Sequence, residues 1–346
     1  VRVLRGALLV LGVVLASGCT MTEFEGEARK DRKVIVANQG WHMSESLKDS
    51  DKSDQRESGA EARRLLKKAA ASFKAERWSE AAEDYDDAYS AATDPETAEP
   101  ALYGAGESYF RAIKLEEAHR RFQMSLRTFP RSLQYAAIVR RIFELGKLGI
   151  EGKYSRRKYI LFGDVGREFG LEVLEGFLRD QDRHPNADDA LYLIATERLR
   201  LEQPESAIVA WNRLIEEYPA SEWRRLSEIR VAEAHVQLVE GAVRERKPLL
   251  KAIALLRRYL RRYPTGDNLP VVRGTLKGLE ESVAAEDLFI ARGYERASEP
   301  NIIARWFRAV PPREAYLIYL RHILKEYPKT AAAKEAKLLL AQERVS

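Results

Sequence analysis

The sequence predicts an all-α protein, a helical-repeat superhelix (α-solenoid) over residues 58–344. Two observations carry this expectation. Five segments share one phrase that closes on a proline. Within each, apolar residues recur at three- and four-residue steps, which marks one buried helix face. The composition agrees, with 45% hydrophobic and 32% charged residues, as amphipathic elements of a soluble chain require. The expected product is a right-handed array of about twelve or more helices with no sheet, in which each unit contacts its neighbours.

The N-terminus reads as an address. Arg2 and Arg5 form a positive region, Ala7 to Ala16 an apolar run, and the small residues Ala16, Ser17 and Gly18 precede Cys19. The run is ten residues long, short of the roughly 18–20 needed to span a bilayer, so residues 1–18 are expected to be a secretory signal. Cys19 is the single cysteine of the 346 residues, which excludes a disulfide within one chain and any cysteine-built metal cage. Residues 19–57 are rich in Glu, Lys, Asp and Ser, lack a helical period and read as a flexible tether.

The repeated phrase follows. It occurs as EEAHRRFQMSLRTFP, LEVLEGFLRDQDRHP, ESAIVAWNRLIEEYP, LKAIALLRRYLRRYP and REAYLIYLRHILKEYP, ending at Pro130, Pro185, Pro219, Pro264 and Pro328. Eight places before each proline stands Phe122, Phe177, Trp211, Leu256 or Leu320. Immediately before it stands Phe129, His184, Tyr218, Tyr263 or Tyr327. The large residue is expected to fill the layer between helices. The proline stops the helix, since it lacks an N–H and its ring clashes with the preceding turn. The intervals are 55, 34, 45 and 64 residues, so insertions are expected at 150–166, 241–248 and 293–312.

These residues place the family. Leu102, Ala105, Gly106, Tyr109, Ala118, Phe122 and Pro130 fall where the 34-residue tetratricopeptide repeat (TPR) has its pattern. Leu65, Ala69, Phe73, Ala81, Tyr85 and Ala88 fit a first unit; Leu191, Ala195, Ala207, Trp211 and Pro219 fit a fourth. The expected units are 59–94, 98–131, 132–186, 187–220, 221–266 and 267–329, with a capping helix at 330–344. The ending Leu-Ala-Ser-Gly-Cys resembles the lipobox of bacterial lipoproteins, although Leu15 lies four rather than three places before Cys19. That resemblance implies that Cys19 carries lipid, and Thr20 after it implies the outer membrane. The other reading is an ordinary signal peptide that leaves a free thiol.

A lipobox, a tether and degenerate repeats with (Tyr/Phe)-Pro-x-(Ser/Thr) ends together resemble the outer-membrane β-barrel assembly lipoprotein family, BamD-like. The stretches AAEDLFIARGYERASEPNIIARW and YLIYLRHILKEYPKTAAAKEA are similar to its C-terminal repeat. The resemblance covers about residues 59–344. It implies a periplasmic scaffold whose partners are the outer-membrane assembly pore protein and unfolded β-barrel precursors, with the membrane reached through the N-terminal lipid. The alternative is an envelope TPR adaptor in cell-wall or division coordination.

No chemistry rises from the residues. His42, His119, His184, His235 and His322 form no metal-ligand pair, and GAGESY lacks the Lys-Ser/Thr of a phosphate loop. Gly104 and Gly106 are expected to serve helix packing; Gly163, Gly166 and Gly170 in GDVGREFG are expected to punctuate a loop. No catalytic residue, metal or cofactor is expected. Formal charge is +5, from 58 basic and 53 acidic residues, too balanced to argue for nucleic acid. Polypeptide binding is expected on the first helix of each pair, at Lys67, Lys74, Tyr103, Glu107, Phe110, Arg111, Tyr192, Thr196 and Arg200. Rings there offer apolar contact, and the cations could hold a carboxylate.

Overall fold

The computed structural model describes residues 49–152, 165–240, 246–296 and 312–343. By contacts the chain divides into 1–43, outside the described residues, and 44–346, which holds every helix. The signal segment, Cys19 and residues 20–48 therefore lie outside what is described. Thirteen helices are present among the described residues, and no strand. They are α1 (Asp49–Lys74), α2 (Trp78–Ala91), α3 (Pro95–Arg111), α4 (Leu115–Thr128), α5 (Tyr135–Ile150), α6 (Val165–Asp180) and α7 (Ala187–Arg200). Then come α8 (Pro204–Glu217), α9 (Arg224–Glu240), α10 (Arg246–Arg262), α11 (Leu269–Arg296), α12 (Pro312–Glu326) and α13 (Ala331–Glu343). Each helix packs on the next in sequence, with some next-but-one contacts such as α1 with α3, so the main contacts are local along the chain.

Three of the turns inside pairs are built identically. After α1, Glu76 N donates to Phe73 O and Arg77 N to Ser72 O; after α3, Ile113 N donates to Phe110 O and Lys114 N to Tyr109 O. After α7, Glu202 and Gln203 repeat the pattern onto Leu199 and Arg198. This is the Schellman ending, which satisfies carbonyls the helix would leave bare. It needs a left-handed residue, and here Glu76 (φ 59°), Ile113 (φ 57°) and Glu202 (φ 57°) supply it without glycine.

The proline phrase closes the second helices. Phe129, Tyr218, Tyr263 and Tyr327 donate their backbone N–H to Ser125, Leu214, Tyr259 and Ile323. The residue before proline is barred from the α region, and Phe129 and Tyr218 accordingly sit at φ −124° and −122°. The serine or threonine two places after the proline then turns the chain. Ser132, Ser221 and Thr330 donate N–H back to the carbonyls of Phe129, Tyr218 and Tyr327. Phe122, Phe177, Trp211, Leu256 and Leu320 are all buried, as their place in the phrase demands.

Close approach of neighbouring helices, within and between pairs, depends on small residues. A Cβ added at Gly106 would lie 2.6 Å from the Phe122 ring, and one at Gly104 2.6 Å from Tyr85. Both glycines thus serve helix packing. Gly166 and Gly170 depart from expectation: they lie inside α6 rather than in a loop. Gly170 faces Gly149 and Ile150 of α5, where a Cβ would meet Ile150 N at 2.5 Å. Closely spaced glycines read as a loop in sequence, but here Gly170 lets two helix backbones touch.

The boundaries differ too. α1 begins at Asp49, within the stretch read as tether, where DSDKSDQRES holds no proline or glycine to stop a helix. Of the expected insertions, 153–164, 241–245 and 297–311 lie outside the described residues, while 246–248 belong to α10 and 293–296 to α11.

Candidate functional site

The residues expected to bind polypeptide fall into two groups, and most already have partners. On α1, Lys67 and Lys74 are exposed. On α3, Tyr103 is half-buried with its ring 6.4 Å from Phe122, and burial raises its phenol pKa. Glu107 is 6% exposed, and Arg141 of α5 grips both its carboxylate oxygens, at 2.6 and 3.2 Å. The same guanidinium lies 4.8 Å above the Phe110 ring and bonds Glu144 at 2.5 Å. Bonding to Glu107 raises the Arg141 pKa. Glu107 is therefore a tie between consecutive units, with its oxygens engaged inside the protein. Arg111 is exposed and lies 5.4 Å from the Phe73 ring and 5.1 Å from Trp78, a cation held by two aromatic faces.

The α7 group is separate. Tyr192 stacks on Trp223 at 4.3 Å and 15°. Thr196 is exposed, and its hydroxyl donates to Tyr192 O one turn back at 2.8 Å. Arg200 bonds Glu197 at 2.6 Å; Glu197 is 2% exposed and also meets Arg167 at 3.3 Å. The structure brings Tyr103, Glu107 and Phe110 together around Arg141, and Arg111 to Phe73 and Trp78. Lys67 and Lys74 make no ion pair among the described residues.

Sequence reasoning missed Arg141, Trp78 and Trp223. A signal existed: Arg141 lies 34 residues after Glu107, and Trp223, whose Nε1 donates to Asp189 at 2.6 Å, lies 34 after Asp189. Arg262 to Glu228 repeats the interval at 2.8 Å. Asp86 takes Arg121 in two bonds and the Tyr109 hydroxyl at 2.8 Å; burial and then Asp86 push that phenol up to about 12.

A second place was also missed. A cavity of about 550 Å³ lies between α10, α11 and α12. Its floor is Asp287, 0% exposed, bonded by Arg246 at 2.5 and 2.7 Å, with His322 Nε2 at 3.7 Å. A carboxylate buried so deeply requires a paired cation, and Arg246 supplies it. Leu250, Ile253 and Ile318 form apolar walls. No group of three or more His, Cys, Asp or Glu that could hold a metal is found among the described residues. Nor is any described helix long and apolar enough to cross a membrane.

Residues 189–221, which cover most of α7, all of α8 and the turn after it, match the tetratricopeptide repeat family model. Among solved structures, the chain is similar to a thermophilic TPR protein of Thermus thermophilus. There it shares 15% identity over 63% of this chain and 98% of that one, with a TM-score of 0.29. It is also similar to a tetratricopeptide repeat protein of Parabacteroides merdae, at 16% identity over 82% of this chain and 98% of that one, TM-score 0.34. No curated protein matches the sequence.

Proposed function

We propose that this TPR scaffold is a subunit of the outer-membrane β-barrel assembly machinery, held at the periplasmic face of the outer membrane by lipid on Cys19. In this reading residues 1–18 are removed, Cys19 and the following tether link lipid to the repeats, and the repeats bind polypeptides. The α3 face carries the binding role. There Tyr103 and Phe110 are half-buried, Arg111 is exposed against Phe73 and Trp78, and Lys74 is exposed beside Phe73 in sequence. Half-covered rings beside cations suit an extended segment with aromatic side chains and a carboxylate end. The assembly role rests on the lipobox-like ending at Cys19 and on the Tyr-Pro-x-Thr repeat ends of the C-terminal unit.

The test pairs capture with mutation. Full-length protein solubilised from membranes should copurify with an outer-membrane barrel that carries periplasmic repeat domains. Lys74→Glu with Arg111→Glu should weaken binding to peptides from the C-terminal strands of outer-membrane barrels while leaving helicity intact, since both residues are exposed. Copurification with cell-wall enzymes, alongside no affinity for such peptides, would transfer the protein to the adaptor reading. Cys19→Ala should release the protein from membranes; unchanged fractionation would place the anchor elsewhere.

A further inference from the structure

The cavity between α10 and α12 is unlike the α3 face. Both flanking helices are the second members of their pairs, so it opens on the opposite set of helices from those expected to bind polypeptide. Its floor is electrically settled, because Asp287 is matched by Arg246. What remains uncovered is apolar: Leu250 is 40% exposed and Ile318 51% exposed, one on each wall. Large aliphatic side chains left open at a concave mouth are a site for burial by something else.

The unmatched charge beside the cavity has one sign, since Glu326 at its mouth lies 3.9 Å from Arg257. Lys251, Arg258 and Arg261 are exposed along α10, on the side opposite the buried Leu256 by helical spacing. Arg321 is exposed on α12 beside Ile318. None of these four pairs with a carboxylate among the described residues, although Arg246, Arg257 and Arg262 nearby all do. The cations that the fold uses are thus matched, and an unmatched set lies on the same two helices that wall the cavity.

We propose that this cavity docks an acidic polypeptide segment through one aromatic or branched aliphatic side chain. The side chain fills the space between Leu250, Ile253 and Ile318 and dehydrates those walls. The flanking carboxylates face Lys251 and Arg258 on one side and Arg321 on the other. A concave cavity favours a polypeptide over an anionic membrane: a flat lipid surface would meet the cations and leave the walls wet. The inference stands apart from the barrel-assembly reading, since it uses different helices.

The test is fluorescence anisotropy with the full chain and a labelled acidic peptide that carries one central tryptophan. Two control peptides replace the tryptophan by serine, or the acids by their amides. The wild type should bind the first peptide and hold each control about tenfold or more weakly, the loss expected when an anchor or its charge match is removed. Ala254→Trp fills the cavity from an exposed position without touching the core, and Lys251→Glu with Arg258→Glu reverses the rim. Each should weaken binding by a similar about tenfold factor with unchanged melting, and added salt should weaken the wild-type complex. Lys74→Glu with Arg111→Glu should leave it unchanged, which separates failure here from failure of the α3 reading. Three results would overturn the proposal. One is no wild-type binding, or binding indifferent to Ala254→Trp. Another is sedimentation with phosphatidylglycerol vesicles in place of peptide binding. The third is a self-associated dimer that Ala254→Trp dissolves, which would make a second copy the occupant.

Discussion

Phe122 and Trp211 are fully buried, and each sits eight places before its proline. Phe122 leans on the bare face of Gly106. Phe122→Ala and Trp211→Ala should each cost roughly 3–5 kcal/mol in denaturant unfolding; an unchanged midpoint would remove both from the core. Trp211 adds a detail invisible in sequence: its indole nitrogen is buried without a hydrogen-bond partner. Trp211→Phe should therefore cost less than the alanine change by more than ring size alone suggests. His119 gives a pH signature. Burial first, then Arg127, lowers its pKa below the ordinary 6.5. In the unfolded chain the ring regains that ordinary value, so as pH falls through 6.5 the unfolded state takes up a proton that the folded state resists. Stability is therefore intact above that value and declines below it, until the folded-state pKa is passed. His119→Gln should flatten that decline in melting temperature between neutral and mildly acidic pH; an identical decline would assign it to other groups.

At the scale of helices and turns, the endings were the legible part. Proline after an aromatic is a local instruction, carried by backbone sterics alone, and α4, α8, α10 and α12 all stop just before their prolines, while α6, whose proline follows His184, ends earlier at Asp180. The start of α1 was not legible, because its first turns lack the apolar stripe by which a helix is read. The α5–α6 contact was hidden for a different reason. Gly149 and Gly170 acquire meaning only when it is known which helix meets which. Gly170→Ala would drive a methyl into the Ile150 backbone, where no side chain can swing aside. It should destabilise the protein despite alanine's better helix propensity of about 1 kcal/mol, and a stabilised variant would show that the two helices can part freely. Ile113 is the converse case. It is a β-branched residue at φ 57° and 58% exposed, so nothing buried holds it there. Ile113→Gly should raise stability by about 1 kcal/mol by relieving the left-handed position; a loss on calorimetry would mean that the exposed side chain matters more than the backbone.

Over residues 44–346 as a whole, the main helix contacts are sequential and the polar ties follow the same arithmetic. Glu107–Arg141, Asp189–Trp223 and Glu228–Arg262 each span 34 residues, the repeat length: the first ties α3 to α5, the second ties α7 to the residue before α9, and the third closes the α9–α10 pair. The repeat unit was legible from proline spacing; the use of that spacing to pair buried acids with later partners was not. This explains why the expected binding residues divided as they did: Glu107 was drawn into a tie, while Arg111 and Lys74 stayed at the surface. The central claim is that the α3 face receives polypeptide. The most direct measurement places a photoreactive aromatic residue at Lys74 or Arg111 in the full-length protein, irradiates living cells and identifies the crosslinked proteins by mass spectrometry. The account expects unfolded outer-membrane barrel precursors at both positions and not at a control position on α13. Crosslinks only to cell-wall enzymes, or none above the α13 control, would contradict it.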